Sequence, residues 1–170
     1  MCSSDLPVFD HPEFDQHEAL HFVQDSETGL KAIIAIHSTA LGPAAGGCRR
    51  WKYATDDDAV TDALRLSRGM TYKNAVAGLK FGGGKSVILA DDAAPKSAEL
   101  FRAFGRAIES LGGIYITAED VGCSVEDMRY VNDVTNYVSG LPQSGNDAGG
   151  DPSPFTALGV MLGIEAAVRF

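Results

Sequence analysis

The chain has 170 residues, 45% of them hydrophobic and 22% charged, a composition typical of a globular domain that can bury a core of its own. Its 14 lysines and arginines stand against 23 aspartates and glutamates, and the net charge of −9 would repel phosphate groups, which argues against a nucleic-acid partner. No apolar run is as long as a membrane span, and the first residues do not resemble a secretory signal, so we expect a cytoplasmic protein with no membrane partner. The three cysteines form no Cys-x-x-Cys pair, which favours reduced thiols over disulfides or a zinc site.

The predicted elements alternate between strands and helices, which indicates a layered α/β fold. Up to residue 51, the hydrophobic pattern predicts a short helix, two strands joined by a turn, a loop of small residues and a third strand. In that order these segments are residues 12–19, 20–23, 32–36, 41–47 and 48–51, with the turn at 26–29.

Serine and threonine caps predict three helices in the middle of the chain. The first begins after Thr55, and one stripe along it contains small and apolar residues. That stripe consists of Val60, Ala63, Leu64, Ser67 and Met70. The second helix begins after Ser97 and ends before Gly112–Gly113, and the third begins after Ser124, which forms a capping box with Asp127.

The last part of the chain contains short extended segments, a polar loop and a helix. Strands are expected at 114–116 and around Val138, and residues 140–152 are expected to form a surface loop. A final helix begins at Ser153–Pro154 and its pattern continues to Phe170 without a stop signal, so we expect the chain to be part of a longer protein.

Residues 69–86 contain the most unusual pattern in the chain. Three consecutive glycines, at 82–84, lie between the end of a helical pattern and a strand-like run at 87–89. Because glycine loses more backbone entropy than other residues, such a run indicates a chain path or a ligand that excludes side chains. Lys73 and Lys85 flank the glycines, and a lysine close to apolar groups and a second cation can lose its proton near neutral pH and act as a general base. The alternative is a loop of small residues with two solvated lysines.

Two short patterns resemble known sites but lack the structural context that those sites need. The segment at 17–21, His-Glu-Ala-Leu-His, matches the zinc-protease pattern H-E-x-x-H, but His21 opens a strand-like run, so helical spacing of the histidines is not expected. Residues 84–86, Gly-Lys-Ser, resemble the end of a phosphate-binding loop, but Leu79 stands where that motif needs glycine, and a strand follows instead of a helix. We expect neither a metal site nor a nucleoside triphosphate site.

A third set of residues fits chemistry on an amino acid. Gly46 and Gly47 leave the backbone exposed beside small residues, Lys73 and Lys85 supply cations, and Glu119–Asp120 follows a strand that can direct a carboxylate into a cleft. One lysine could act as a base, the second could bind an anion, and the carboxylate could move protons. On its own, the aspartate could equally belong to a turn or cap a helix.

Four segments, in this order, resemble the amino acid dehydrogenases of the leucine, phenylalanine, valine and glutamate group: 42–47, 69–75, 82–85 and 117–122. The likeness runs from about residue 9 to Phe170 and includes residues 152–156. It implies a mixed sheet flanked by helices, with a substrate-binding and oligomerisation domain at residues 1–152 and the start of an interdomain helix at 153–170. It also implies that a nicotinamide-binding domain would follow. Together with the apolar strand at 32–36, it implies a homo-oligomer, at least a dimer.

The resemblance also implies a role for each residue of the third set. Lys73 binds the substrate α-carboxylate, Lys85 is the general base that activates the attacking water, and Asp120 carries protons to and from the amino group. The Gly46–Gly47 pair approaches the substrate backbone, and Thr156 lies near the nicotinamide. The implied reaction converts an L-amino acid, water and NAD into a 2-oxo acid, ammonia and NADH, with NAD bound mainly by the domain that would follow.

The side-chain pocket is expected to accept an apolar substrate. Glutamate-specific relatives tend to carry a lysine just before the Gly46–Gly47 pair, whereas this chain has Ala45, so a second substrate carboxylate would be buried without a counter-ion. Met70 is expected to line the same pocket.

Two features depart from the pattern of the family. Lys80 is a third cation where relatives usually have an uncharged residue, and residues 147–151 are expected to form a loop beside the cofactor side that differs slightly from that of the relatives. The alternatives are a non-catalytic module that forms oligomers and binds amino acids weakly, and a glutamate-type dehydrogenase.

Overall fold

The computed structural model describes residues 8–142 and 149–170, and in this part of the chain six strands form a mixed sheet with helices on both faces. In chain order the strands are β1 (Ala19–Asp25), β2 (Leu30–Ser38), β3 (Ala44–Ala45), β4 (Cys48–Trp51), β5 (Gly82–Leu89) and β6 (Tyr115–Ile116). The helices are α1 (Asp56–Val76), α2 (Ala98–Ser110), α3 (Val125–Asn132) and α4 (Ser153–Arg169), preceded by a 3-10 turn at Val8–Asp10. The predicted α/β class with a mixed sheet is confirmed.

The sheet combines both strand orientations. β1 pairs with β2, and β2 with β5, in antiparallel register, which places Ala35 opposite Lys85. β3 and β4 run parallel to β5 on its other side, one after the other, and β6 runs parallel to β3. The Gly46–Gly47 pair therefore lies at the break between β3 and β4, directly beside β5.

Strand β2 runs through the centre of the fold and is covered on both faces. Since side chains alternate along a strand, Ile33 and Ala35 pack with α1, whereas Ile34 and Ile36 pack with α2 and α3. Residues 32–36 are at most 3% exposed. The side chains of this apolar strand therefore form the core of the chain.

The helices begin at the predicted caps. The Thr55 hydroxyl accepts a hydrogen bond from the Asp58 N–H at 3.1 Å, and the Asp58 carboxylate accepts one from the Thr55 N–H. Ser97 caps α2 through its hydroxyl, and Ser124 with Asp127 forms the predicted capping box of α3. The stripe predicted along α1 is buried at four positions and half-buried at the fifth, Met70.

The helix predicted at residues 12–19 is wrong, because this segment forms turns. The Nδ1 atom of His11 accepts from the Glu13 N–H, and that of His17 accepts from the Asp15 N–H, each at 3.1 Å. Side chains that bond to nearby backbone groups compete with the helical hydrogen-bond pattern. Gln16 also has a φ of 54°, which a right-handed helix does not allow.

Two segments of small residues that were predicted as loops belong to the sheet. Ala44–Ala45 forms β3 between β5 and β6, and the three glycines begin β5 instead of preceding it. The glycines are needed because neighbours approach closely: a Cβ atom placed on Gly82 would lie 1.9 Å from the Ser38 oxygen, and one on Gly84 would lie 2.7 Å from the Tyr115 ring. The protein itself therefore excludes side chains here, without any ligand.

The end of the described chain contains α4, which begins at Ser153 as predicted and is exposed along its whole length. Val138 pairs with Thr117 in a short bridge, in agreement with the extended segment predicted there. The loop predicted at 140–152 includes residues 143–148, which lie outside the described residues, as does part of the altered loop at 147–151. No described helix combines the length and the apolar character needed to cross a membrane.

Candidate active site

The predicted base and the predicted proton carrier are in direct contact. Lys85 lies in β5 and is only 5% exposed, on the face of the sheet that packs against α1. Its Nζ atom is 2.9 Å from the Oδ2 atom of Asp120. Asp120 begins a turn after β6, in which the Cys123 N–H donates a hydrogen bond to the Asp120 carbonyl oxygen at 2.9 Å. The fold thus joins two residues that are far apart in the sequence.

A second cation, which sequence reasoning missed, binds the same carboxylate oxygen. The Nε–H of Arg49, in β4, donates to Asp120 Oδ2 at 3.1 Å. The Nη1 atom of Arg49 lies 2.9 and 3.2 Å from the two carboxylate oxygens of Asp62 in α1, and the Tyr53 hydroxyl donates to Asp62 at 2.7 Å. No local motif predicts this contact, because Arg49 and Asp120 are 71 positions apart and meet only through the pairing of the strands.

The two consecutive carboxyl groups that follow β6 have opposite environments. Burial alone would raise the pKa of Asp120, but the hydrogen bond and charge of Lys85 and the charge of Arg49 lower its pKa below the usual value. Burial raises the pKa of Glu119, and the nearby charges of Asp151 and Asp120 raise it further. As pH falls, Asp120 therefore stays ionised longer than the carboxyl group of Glu119, whose pKa is raised.

The Gly46–Gly47 pair lies against the cluster so closely that no side chain fits. A Cβ atom on Gly46 would lie 1.8 Å from the Gly84 oxygen and 3.1 Å from the Met70 side chain. One on Gly47 would lie 2.6 Å from the Glu119 oxygen and 2.9 Å from the Asp120 Cβ. These approaches bring the strand break, α1 and the Asp120 turn together around Lys85.

The C-terminal end of α1 supplies the other predicted substrate residues. Met70, Lys73 and Asn74 share one side of the helix because they are three and four positions apart. Asn74 is buried and its side-chain amide donates to the Gly82 oxygen at 2.6 Å and to the Ala45 oxygen at 3.4 Å. Lys73 is exposed beside it, so its ammonium group is accessible to a ligand. Asn74 was not predicted as part of the site. The available signal was an asparagine inside a predicted helix, since asparagine is unfavourable in helix interiors.

Tyr115 supports the backbone of the site from the opposite face of the sheet and was also missed. It is fully buried, and its hydroxyl donates to the Gly46 oxygen at 2.5 Å and lies 3.0 Å from the Ser86 hydroxyl. Burial raises the pKa of Tyr115, which keeps the hydroxyl protonated and available as a donor. The strand break at Gly46 is therefore held in place by a specific hydrogen bond.

The remaining predicted residues lie apart from this cluster. Thr156 is exposed in α4, and the structure does not bring it against Lys85. Lys80 is exposed in the loop between α1 and β5. A cavity of about 790 Å³ borders the cluster through Arg49 and Val121, and its wall also contains Trp51, Tyr53, Asp62 and Arg65.

The segments that resemble a zinc-protease motif and a phosphate-binding loop do not have the helical geometry that those motifs need. β1 begins at Ala19, so His17 and His21 are not on one helix; the ring of His17 instead bonds the Leu64 carbonyl oxygen of α1 at 3.0 Å. Lys85 and Ser86 lie inside β5 and not at the start of a helix. In residues 8–142 and 149–170 we find no group of three or more His, Cys, Asp or Glu side chains that could hold a metal ion.

Cys48 and Cys123 are free, buried thiols that meet beside the site. Their sulfur atoms are 3.7 Å apart, and Cys48 follows Gly47 directly. The two sulfur atoms are not bonded to each other, so Cys48 and Cys123 are thiols in this structure, as predicted. Cys2 lies outside the described residues.

Comparison with known proteins identifies the family. The model of the Glu/Leu/Phe/Val dehydrogenase dimerisation domain matches residues 17–137. The chain is 55% identical to leucine dehydrogenase of Bacillus subtilis (strain 168) and 48% identical to phenylalanine dehydrogenase of Bacillus thermotolerans, over 96% and 95% of its length. It spans 45% and 42% of those two proteins, less than half of each.

A solved structure agrees with this match in fold. The chain superimposes on L-tryptophan dehydrogenase from Nostoc punctiforme with a TM-score of 0.73 and 45% identity, over 91% of this chain and 42% of that one. The family model covers all six strands and the helices α1 to α3, including Lys73, Lys85 and Asp120. The chain therefore belongs to the Glu/Leu/Phe/Val dehydrogenase family and contains its dimerisation domain.

Proposed function

We propose that this chain is the substrate-binding half of an NAD-dependent dehydrogenase that oxidatively deaminates apolar L-amino acids. The observation that carries the proposal is the 2.9 Å contact between Lys85 and Asp120, which joins a buried amine to an ionised carboxylate beside the Gly46–Gly47 pair. Proton transfer in oxidative deamination needs two such groups, one for the attacking water and one for the substrate nitrogen. Leucine and phenylalanine dehydrogenases that resemble the chain support this assignment.

In this proposal each side chain has one task. NAD, when bound, would supply the hydride acceptor, and loss of the hydride from the substrate α-carbon would leave an electrophilic iminium group on the substrate. Lys85, as a neutral amine, takes the proton from the water that attacks this carbon, and Asp120 moves protons to and from the nitrogen until ammonia leaves. Lys73 binds the substrate α-carboxylate. A lysine base suits the cationic iminium, because it takes the proton without adding a negative charge beside it.

The proposed substrate side chain is apolar. Ala45 carries no charge and Met70 packs against Gly46, so the part of the pocket that this chain provides contains no counter-ion for a second carboxylate. Replacement of Ala45 by lysine tests this assignment in the full-length protein. We expect kcat/KM for leucine to fall and that for glutamate to rise. An unchanged ratio would mean that Ala45 does not contact the substrate side chain.

The cofactor and the assembly extend beyond what this chain provides. Of the residues described here, only Thr156 is assigned to the nicotinamide, so we propose that NAD is bound mainly by a further domain joined through α4. The exposed apolar residues of α4, among them Phe155, Leu162 and Val168, support a role for this helix in packing against another domain.

We also propose that the protein is at least a dimer, because the matched family model is a dimerisation domain. A monomer in sedimentation experiments at micromolar concentration would contradict this assembly.

Lysine variants of the full-length protein test the catalytic proposal. We expect Lys85→Ala to lower kcat by about 10²–10⁴-fold, because it removes the general base. Lys73→Ala should mainly raise KM, because a carboxylate anchor contributes to ground-state binding. The exposed Lys80 is the matched control, and Lys80→Ala should retain activity close to the wild type.

Activity is measured as NAD reduction that depends on an L-amino acid. A Lys85→Ala variant that keeps its kcat would show that another group is the base. A wild-type protein that reduces NAD with none of a panel of L-amino acids would favour a non-catalytic module that forms oligomers.

A further inference from the structure

We infer that Arg49 is a positioning residue for Asp120: it binds one carboxylate oxygen, ties that oxygen to α1 through Asp62, and directs the other oxygen toward the substrate nitrogen. The inference rests on the proposed function, because it names a residue that prepares the proton carrier of that reaction. It starts from an asymmetry in the contacts of Asp120. Lys85 and Arg49 approach the same oxygen, Oδ2, at 2.9 and 3.1 Å. Among the described residues no side chain donates a hydrogen bond to Oδ1, and we therefore assign this oxygen to the substrate nitrogen.

Arg49 can fix the carboxylate because it is itself fixed at its other end. Its Nη1 atom bonds both oxygens of Asp62, and the Tyr53 hydroxyl donates to the same carboxylate at 2.7 Å. The side chains of Arg49, Asp62 and Asp120 are each only about one quarter exposed. They come from β4, from α1 and from the turn after β6, so the network joins three separate elements. A carboxylate held from two directions has little freedom to rotate.

The position of the guanidinium group also fits the proton chemistry. Asp120 faces Lys85 from β5, Arg49 from β4 and Glu119 on its own segment, with the thiols of Cys48 and Cys123 nearby. When Lys85 becomes a neutral amine to act as a base, it no longer provides a positive charge for Asp120. Arginine keeps its proton at all ordinary pH values. Arg49 is therefore the permanent counter-ion that favours the ionised form of Asp120, so that the carboxyl group returns to this form after each proton transfer.

Three variants separate the charge of Arg49 from its geometry. Arg49→Gln removes the charge, whereas Arg49→Lys keeps it but cannot bond Asp120 and both oxygens of Asp62 at once. Arg50→Gln is the matched control, because Arg50 is the next residue of β4 and its guanidinium group donates to the Ala94 oxygen instead. The Arg50 variant has the same change in charge but leaves the contacts of Asp120 intact.

The first readout does not depend on activity. Carbon-13 NMR titration of the Asp120 carboxyl group in this chain should show that its pKa rises in Arg49→Gln, rises less in Arg49→Lys and is unchanged in Arg50→Gln. In the full-length protein, the acid limb of the kcat profile should move to higher pH in Arg49→Gln. We expect kcat in this variant to fall by on the order of 10²-fold, the effect of a small misplacement of a catalytic group, with partial recovery in Arg49→Lys.

The outcomes separate this inference from the proposed function. If the Asp120 titration and the pH profile of Arg49→Gln match those of the wild type, the positioning role is refuted even in an active enzyme. If Arg50→Gln changes both readouts as much as Arg49→Gln, the effect is one of general charge, which also refutes it. If the wild-type full-length protein lacks dehydrogenase activity, the proposed function fails, and a role for Arg49 toward a substrate fails with it. The titration would still report whether Arg49 controls the ionisation of Asp120.

Discussion

Substitution of Gly83 by alanine tests how closely α1 is pressed against β5. A Cβ atom on Gly83 would lie 2.0 Å from the Thr71 hydroxyl oxygen, 2.2 Å from the Thr71 nitrogen and 2.5 Å from its Cα. Two of these atoms belong to the helix backbone, so no rotation of a side chain relieves the overlap. The end of α1 has to move by on the order of 1 Å to reach an ordinary van der Waals separation.

The expected cost lies at the upper end of the range for overpacked cores, about 3 kcal/mol. With a urea m-value of about 2 kcal/mol per molar, the midpoint of unfolding should fall by roughly 1–2 M. Gly69→Ala is the matched control, because Gly69 lies in the same helix and a Cβ atom there has no neighbour within 4 Å. That variant should be more stable by about 0.5–1 kcal/mol, because alanine loses less backbone entropy in a helix.

The assay is urea unfolding of both variants, followed by circular dichroism. Since Lys73 lies two residues after Thr71, a displaced helix should also raise KM for the amino acid in the full-length protein. A Gly83→Ala midpoint equal to that of the wild type, at an unchanged m-value, would refute the reasoning, because it would mean that the helix is not fixed against the glycines.

Three further predictions concern burial, pH and the isolated chain. Asn74→Ala should lower the free energy of unfolding by about 1–3 kcal/mol, because the buried Gly82 oxygen loses its donor; an unchanged urea midpoint would contradict this. Burial lowers the pKa of His17, so the unfolded state binds the proton first, and stability should be lost as pH falls below the unfolded value of about 6.5. His17→Gln should reduce the fall in urea midpoint between pH 7 and 5, and an equal fall in both proteins would exclude this histidine as its cause. The 170-residue chain alone should show no amino-acid-dependent NAD reduction and little NADH binding by calorimetry, whereas activity would reveal a cofactor site within it.

The sequence by itself determined the elements whose signals are local. Each predicted cap lies at the start of its helix, because Thr55, Ser97 and Ser124 bond backbone groups only three residues away. The stripe along α1 and the apolar run of β2 were also predicted from the sequence, because helical spacing and a short continuous apolar run are local patterns. The order of the motifs also predicted the family, which the match to residues 17–137 confirms.

The tertiary structure decided everything that depends on contacts between distant segments. Ala44–Ala45 is a strand only because β5 and β6 lie on either side of it, and the glycines of β5 are needed only because Thr71 and Tyr115 press against them. The residue pattern alone left Glu119 and Asp120 as one acidic pair, from which the family resemblance selected Asp120. In the fold only Asp120 faces Lys85, because successive residues of an extended segment point in opposite directions. Arg49 belongs to the site because the strands pair in parallel, and no local sequence pattern encodes this pairing. The pairing places its guanidinium group 3.1 Å from a carboxylate that is 71 positions away.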